Sequence, residues 1–143
     1  MKKRFLAITT VLFALFLSGC ETTESLTMKQ EPMMQSVEGV IYYRERIALP
    51  PEAEVTVTLE DVSRADAASI VIAEQIFTTD GEQVPFDFAL SYDANDIKAN
   101  HRYSVRGKIT LNGKLRFTTD TIYPVITDPK NSTSVNLKLI GTR

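Results

Sequence analysis

From Val37 to the C-terminus, apolar and polar residues alternate with period two in short runs, and turn-forming residues separate the runs. Val55, Val57 and Leu59 alternate with Thr56, Thr58 and Glu60. Phe86, Phe88 and Leu90 alternate with Asp87, Ala89 and Ser91, and Val135, Leu137 and Leu139 alternate with Asn136 and Lys138. Successive side chains of a strand point to opposite faces, so each run predicts a strand with one buried and one wet face. Segments 39–43, 70–77, 103–111 and 115–121 bring the expected strands to seven. Pro50, Pro51, Asp80, Gly81, Pro124 and Pro129 fall between them, where a missing N–H or a positive φ costs least. The alanine-rich stretch 64–69 is too short to be more than a crossing.

This pattern predicts an all-β domain over residues 37–143, a seven-stranded Greek-key β-sandwich of immunoglobulin or transthyretin type. Ile97 stands six residues before Tyr103, the spacing of a tyrosine corner, in which the phenol bonds back to backbone upstream. The short strand at 39–43 is the expected open edge. At Asn112-Gly113 a two-residue turn would put Ile109 opposite Arg116, which contradicts the alternation on both strands. A three-residue loop with Gly113 in a G1 bulge pairs Ile109 with Leu115 and Gly107 with Phe117 instead, and is the preferred register. It places Arg106, Lys108, Lys114 and Arg116 outward on one ribbon, with Lys108 across from Arg116.

The N-terminal third is different. Lys2, Lys3 and Arg4 precede an apolar run over residues 5–17, and Ser18-Gly19 supply the small residues of a cleavage site before Cys20. This reads as a lipoprotein signal peptide, residues 1–19, cut between Gly19 and Cys20, with Cys20 carrying the lipid. Fifteen residues, 5–19, are short for a bilayer span of about 20. A diacylglyceryl group plus an N-acyl chain such as palmitate holds a protein stably at a membrane. Glu21 lacks the aspartate that retains such proteins at the inner membrane, so outer-membrane, periplasm-facing residence is expected. Residues 20–36 are polar and interrupted by Pro32, as a flexible linker is, and the sixteen after Cys20 reach about 22 Å.

Removing residues 1–19 changes the net charge from −2 to −5, which argues against nucleic acid as a partner. Cys20 is the single cysteine, so no internal disulfide is available. The basic ribbon therefore stands out. Either Glu74 or Asp87 on neighbouring strands neutralises it, or Arg106, Lys108, Lys114 and Arg116 form a surface for an acidic protein or lipid head groups. No catalytic constellation, phosphate loop, metal-ligand cluster or cofactor motif is present in the sequence, so no enzyme is expected. His101 has no nucleophile partner and reads as structural. Asp61, Ser63 and Asp66, and likewise Asp93, Asn95 and Asp96, depart from the EF-hand pattern and suit Asx turns better than calcium.

The run from Leu49 through Val57 to Asp66, the segment from Gln83 through Phe86 to Asp93, and Tyr103 to Ile109 together resemble the YbaY/YscW-type family of small bacterial lipoproteins. The likeness spans about residues 37–139. It implies a compact β-sandwich at the outer membrane and, in the type III secretion branch, a pilotin or chaperone that helps a secretin assemble. It transfers no site residue except Cys20. Two classes of function follow. The first is a non-catalytic binding or assembly module for a secretin or other outer-membrane protein, with strand addition to an open edge as its mode. The alternative is an envelope lipoprotein that binds a small ligand or acts in envelope stress, with the ligand between the sheets or near Asp61 to Asp66.

Overall fold

The computed structural model describes residues 29–143. The expected signal peptide, its Gly19–Cys20 cleavage site and most of the linker lie outside the described residues. Eight strands follow: β1 (Met34–Tyr43), β2 (Glu54–Asp61), β3 (Ile70–Thr78), β4 (Phe86–Asp93), β5 (Tyr103–Leu111), β6 (Lys114–Thr119), β7 (Tyr123–Val125) and β8 (Ser134–Gly141). The sole helical element among the described residues is a single 3-10 turn, Ala94–Asp96. The seven expected strands are all present. The eighth, β7, contains Pro124, which the sequence pattern assigns to a turn; as a three-residue strand pairing β5 alone, it tolerates the missing N–H.

The all-β expectation holds, but the strands form one sheet in the order β3-β2-β5-β6-β8-β1-β4 rather than two stacked Greek-key sheets. That sheet is nearly closed and barrel-like. The reason lies in β6. Phe117 pairs with Ile109 of β5 and also with Gly141 of β8, so one strand makes continuous what would be the two layers of a sandwich. β7 then takes over beside the first residues of β5. The terminal strands β3 and β4 meet across a seam. There the Phe77 ring stands edge-on to Phe86 at 5.8 Å, and the Ala89 N–H donates to Gln75 Oε1 at 3.0 Å.

β1 is not an edge. It lies between β4, antiparallel, and β8, parallel, and it begins at Met34, inside the stretch read as linker. Gly39 makes this position possible: a Cβ built there would lie 1.7 Å from the Val135 carbonyl oxygen and 3.0 Å from Phe88. Just before β1, the Met33 N–H donates to Asp93 Oδ1 and the Met33 carbonyl accepts from the Ala94 N–H.

Val37, Ile41, Val55, Val57, Leu59, Ile109, Val125 and Leu137 are fully buried and fill the interior, each aliphatic side chain contributing about 1.5–3 kcal/mol relative to exposure. β4 alternates as expected, whereas β2 is buried on both faces: Thr56, Thr58 and Glu60 are covered as well. β2 has a neighbour on each side, and its Thr58 is flanked by Glu74 and Arg106. The buried Glu60 carboxylate accepts from the Thr58 and Ser69 hydroxyls. Tyr103 is buried and bonds back to the backbone as a tyrosine corner would, with the polarity reversed: the Lys98 N–H donates to the phenol oxygen at 2.9 Å.

Candidate partner-binding cleft and basic face

The end of the barrel at which β1 begins carries a cleft of about 570 Å3. β1 runs parallel to β8, β8 antiparallel to β6, and β6 antiparallel to β5, so β1 and β5 start at the same end. The cleft is built there from the loop after β2, the start of β5 and the β7 region. Val62, Ala65, Ile122, Pro124 and Pro129 give it apolar walls, and Arg64, Arg102 and Asp128 are its charged lining residues. Ile122 is 72% exposed, the most exposed large apolar side chain among the described residues.

Its frame is rigidly cross-linked. Asp61 Oδ2 meets His101 Nδ1 at 2.5 Å, and Asp61 Oδ1 accepts from the Ser63 N–H and hydroxyl. Burial raises the Asp61 pKa, but the hydrogen bonds from Ser63 and His101 outweigh it and bring it to about 2. The Val62 N–H donates to the Arg102 carbonyl, and the Arg102 N–H donates to the Ser63 hydroxyl. On the other wall, the Thr127 hydroxyl donates to the His101 carbonyl at 2.7 Å. Asp128 accepts from the Ser132 hydroxyl and N–H and from Lys130, bonds that hold its carboxyl below the usual carboxylate range. Between them Ile126 has φ +66° and is spanned by a Thr127 N–H to Val125 carbonyl bond. This is the rare γ-turn with positive φ, a strain of about 1–3 kcal/mol for a β-branched residue. The surrounding bonds hold it in place, and it aims the Thr127–Pro129 wall at the cleft.

His101 is thus a structural residue that joins β2 to the loop before β5. Asp61 with Ser63, and Asp93 with Asn95, form Asx turns, each carboxylate accepting the N–H two residues on. The cleft lies at the Asp61 to Asp66 loop that the ligand alternative singles out. Sequence reasoning missed Arg102, Ile122 and Ile126; only the exposed Ile122 amid polar neighbours is a signal readable from the chain.

The four basic residues do not share one face as expected: Arg106 and Lys108 line an outer groove with Leu115, whereas Arg116 lies with Ile109 and Phe117. The Asn112-Gly113 turn has two residues, at φ +50° and +75°, and the three-residue loop does not form. Leu111 pairs with Lys114 and Thr110 with Leu115, and then the register shifts so that Ile109 pairs with Phe117. Arg116 is the extra residue of a bulge. The bulge restores shared burial of Ile109 and Phe117, as the alternation requires, by a different route from the expected loop. As a result Lys108 faces Thr118 rather than Arg116, and Leu115 is turned outward. Arg106, Lys108, Lys114 and Arg116 are all exposed. Neither Glu74 nor Asp87 forms an ion pair with them; the ion pair among the described residues is His101 with Asp61.

Comparison with known proteins follows this geometry. Residues 32–138 match the family model described as type III secretion system lipoprotein chaperone (YscW). The chain is 42% identical over 118 residues to the uncharacterized lipoprotein YbaY of Escherichia coli (strain K12), covering 81% of this chain and 61% of that protein. It therefore spans about three-fifths of that relative's length. A solved structure of an alternative pilotin from the type II secretion system of Vibrio cholerae is 57% identical, superposes with a TM-score of 0.76, and is covered over 99% of its chain and 78% of this one. With residues 32–138 matched, this chain belongs to the YscW family of type III secretion system lipoprotein chaperones, a non-catalytic family of the bacterial envelope.

Proposed function

We propose that this protein is a pilotin-like assembly module, anchored by lipid on Cys20 to the periplasmic face of the outer membrane after cleavage at Gly19–Cys20. In this reading its cleft holds an apolar segment of a secretin or another outer-membrane protein. The observation that carries it is the cleft itself: a preformed concave surface with apolar walls and two arginines beside one aspartate, at the end where β1 begins. An amphipathic segment presents an apolar face to such walls, and its carboxylates meet Arg64 and Arg102. The kinship with a Vibrio cholerae pilotin supports the same reading. A linker on the order of 20 Å lets this end of the barrel search the membrane-proximal space for its partner.

The test is in-cell crosslinking from a photoreactive residue at Ile122 or Arg64, with the same residue at Asn112 as a distant control and Cys20→Ala to remove the anchor. Recovery of an outer-membrane assembly protein from the cleft positions, lost in Cys20→Ala and absent from Asn112, is the expected result. Equal recovery from Asn112, or recovery independent of the anchor, refutes it. A lipid or other small molecule crosslinked in place of protein transfers the cleft to the ligand-binding alternative.

A further inference from the structure

We infer that an arc of the barrel rim, formed by Met33, Met34, Ile70 and Val71, rests in the head-group region of a lipid bilayer. This contact rests on the lipid anchor proposed above and is independent of what fills the cleft. β3 runs antiparallel to β2, and β2 antiparallel to β5, so β3 begins at the same end as β1 and β5. That end collects most of the large apolar side chains left exposed among the described residues: Met33 and Met34 at the start of β1, Ile70 and Val71 at the start of β3, and Ile122 at the cleft. Ile47 and Leu115 belong to the other end, and Ile76 lies near the end of β3. Exposed apolar side chains gathered on one rim mark an interaction surface.

The four residues of the arc are joined through the end of β4. The Met33 carbonyl accepts from the Ala94 N–H and the Glu31 carbonyl from Asn95 Nδ2, which ties the chain before β1 to the 3-10 turn. Beyond the turn, a cavity of about 410 Å3 is lined by Asn95, Asp96 and Lys98 together with Ile70, Val71 and Ile72. The arc thus runs over β1, β4 and β3, whereas the cleft is built on β2, β5 and β7.

Two observations select a lipid surface. Cys20 precedes Met33 by thirteen residues, a reach of about 20 Å for a flexible chain. The ten residues of β1 then extend about 34 Å away from that point, so the anchor is tied to the rim that carries the arc. The second is charge. Asp96 and Lys98 give the cavity one charge of each sign, and Asp61 beside them is bonded to His101. That pair matches the ammonium and phosphate of a zwitterionic head group and favours neither an acidic nor a basic polypeptide, which leaves insertion of the apolar side chains as the driving force.

The chain has no tryptophan, so a single introduced one reports its own position. The experiment places the full chain, purified with its lipid, in phosphatidylcholine vesicles with brominated acyl chains. Met34→Trp and Val71→Trp are the reporters, at sites 62% and 52% exposed, and Ile47→Trp, at a site 53% exposed, is the control at the other end. Side chains seated within about 5–10 Å of the boundary between head groups and acyl chains should lose about half or more of their emission, and Ile47→Trp should keep it. Quenching should persist in high salt, because apolar burial is not screened. Ile70→Asp with Val71→Asp should lower the quenching of Met34→Trp about threefold or more, with the melting transition retained because both sites are exposed. Unquenched reporters on chains that co-sediment with the vesicles, or equal quenching of Ile47→Trp, overturn the inference alone. Chains that fail to co-sediment refute the anchor and the inference together. Quenching lost in high salt or confined to phosphatidylglycerol vesicles also overturns it. So does a blue shift of Met34→Trp that grows with protein concentration in the absence of vesicles, which assigns the arc to a second copy of the chain.

Discussion

Two residues set how this barrel responds to acid and to packing. Asp61 titrates at about 2 rather than at the ordinary 3.8 because Ser63 and His101 stabilise its ionised form. A carboxylate whose pKa is lowered on folding stabilises the protein above its unfolded value, and that stabilisation is lost as the pH falls through the folded value. Asp61→Asn should therefore cost about 1–2 kcal/mol at neutral pH and flatten the fall in stability between roughly pH 4 and pH 2, as read by urea unfolding across that range. Unchanged acid dependence would show that other carboxylates, such as Asp128, dominate it. Gly39 is the sharper packing test. A methyl group there collides with the Val135 backbone, whereas at Gly107 it meets the flexible tips of Ile41 and Leu137, at 2.6 and 3.3 Å. Gly39→Ala should cost about 3 kcal/mol or more and Gly107→Ala about 1–2 kcal/mol, measured by thermal or denaturant unfolding. The order of the two costs is the prediction.

At the scale of elements, the β5–β6 hairpin shows how a local signal and a global one were both satisfied. Asn112-Gly113 demands a tight turn with two positive φ values, and Ile109 and Phe117 demand the same face. A two-residue turn alone cannot deliver both, and the bulge at Arg116 supplies the missing step. Gly113→Ala, at φ +75°, should cost about 1 kcal/mol through the left-handed backbone, with little effect on the cleft. Asn112→Gly should be nearly neutral. If both substitutions are equally damaging, the turn is held by something other than its dihedrals. Strand β2 offers the complementary lesson. Its alternation reads as half-wet, but its polar positions are buried, with a paired strand on each side.

For the molecule as a whole, the cleft sits at the end of the barrel where β1 and β5 begin. Ile122→Asp should leave stability within about 0.5 kcal/mol, because the side chain is 72% exposed. It should nonetheless lower recovery of the membrane partner about tenfold or more if the cleft is the docking site. Full recovery with Ile122→Asp would move the docking site elsewhere.

The sequence by itself determined the local matters. Strand positions follow from period-two alternation, turns from proline, glycine and asparagine, and the tyrosine corner from the Ile97–Tyr103 spacing, because each depends on residues within a few positions of one another. Family membership was legible for the same reason, since it rests on contiguous motifs. The tertiary structure alone decided what depends on partners distant in the chain. It closed the sheet into a barrel through a strand shared by two neighbours, and it placed β1 inside the sheet against Val135 and Phe88. It also brought the loops around Val62, Arg102 and Ile122 together into one cleft. Strand pairing over such separations is set by which closure buries the most surface without unpaired backbone, and no local pattern encodes that choice.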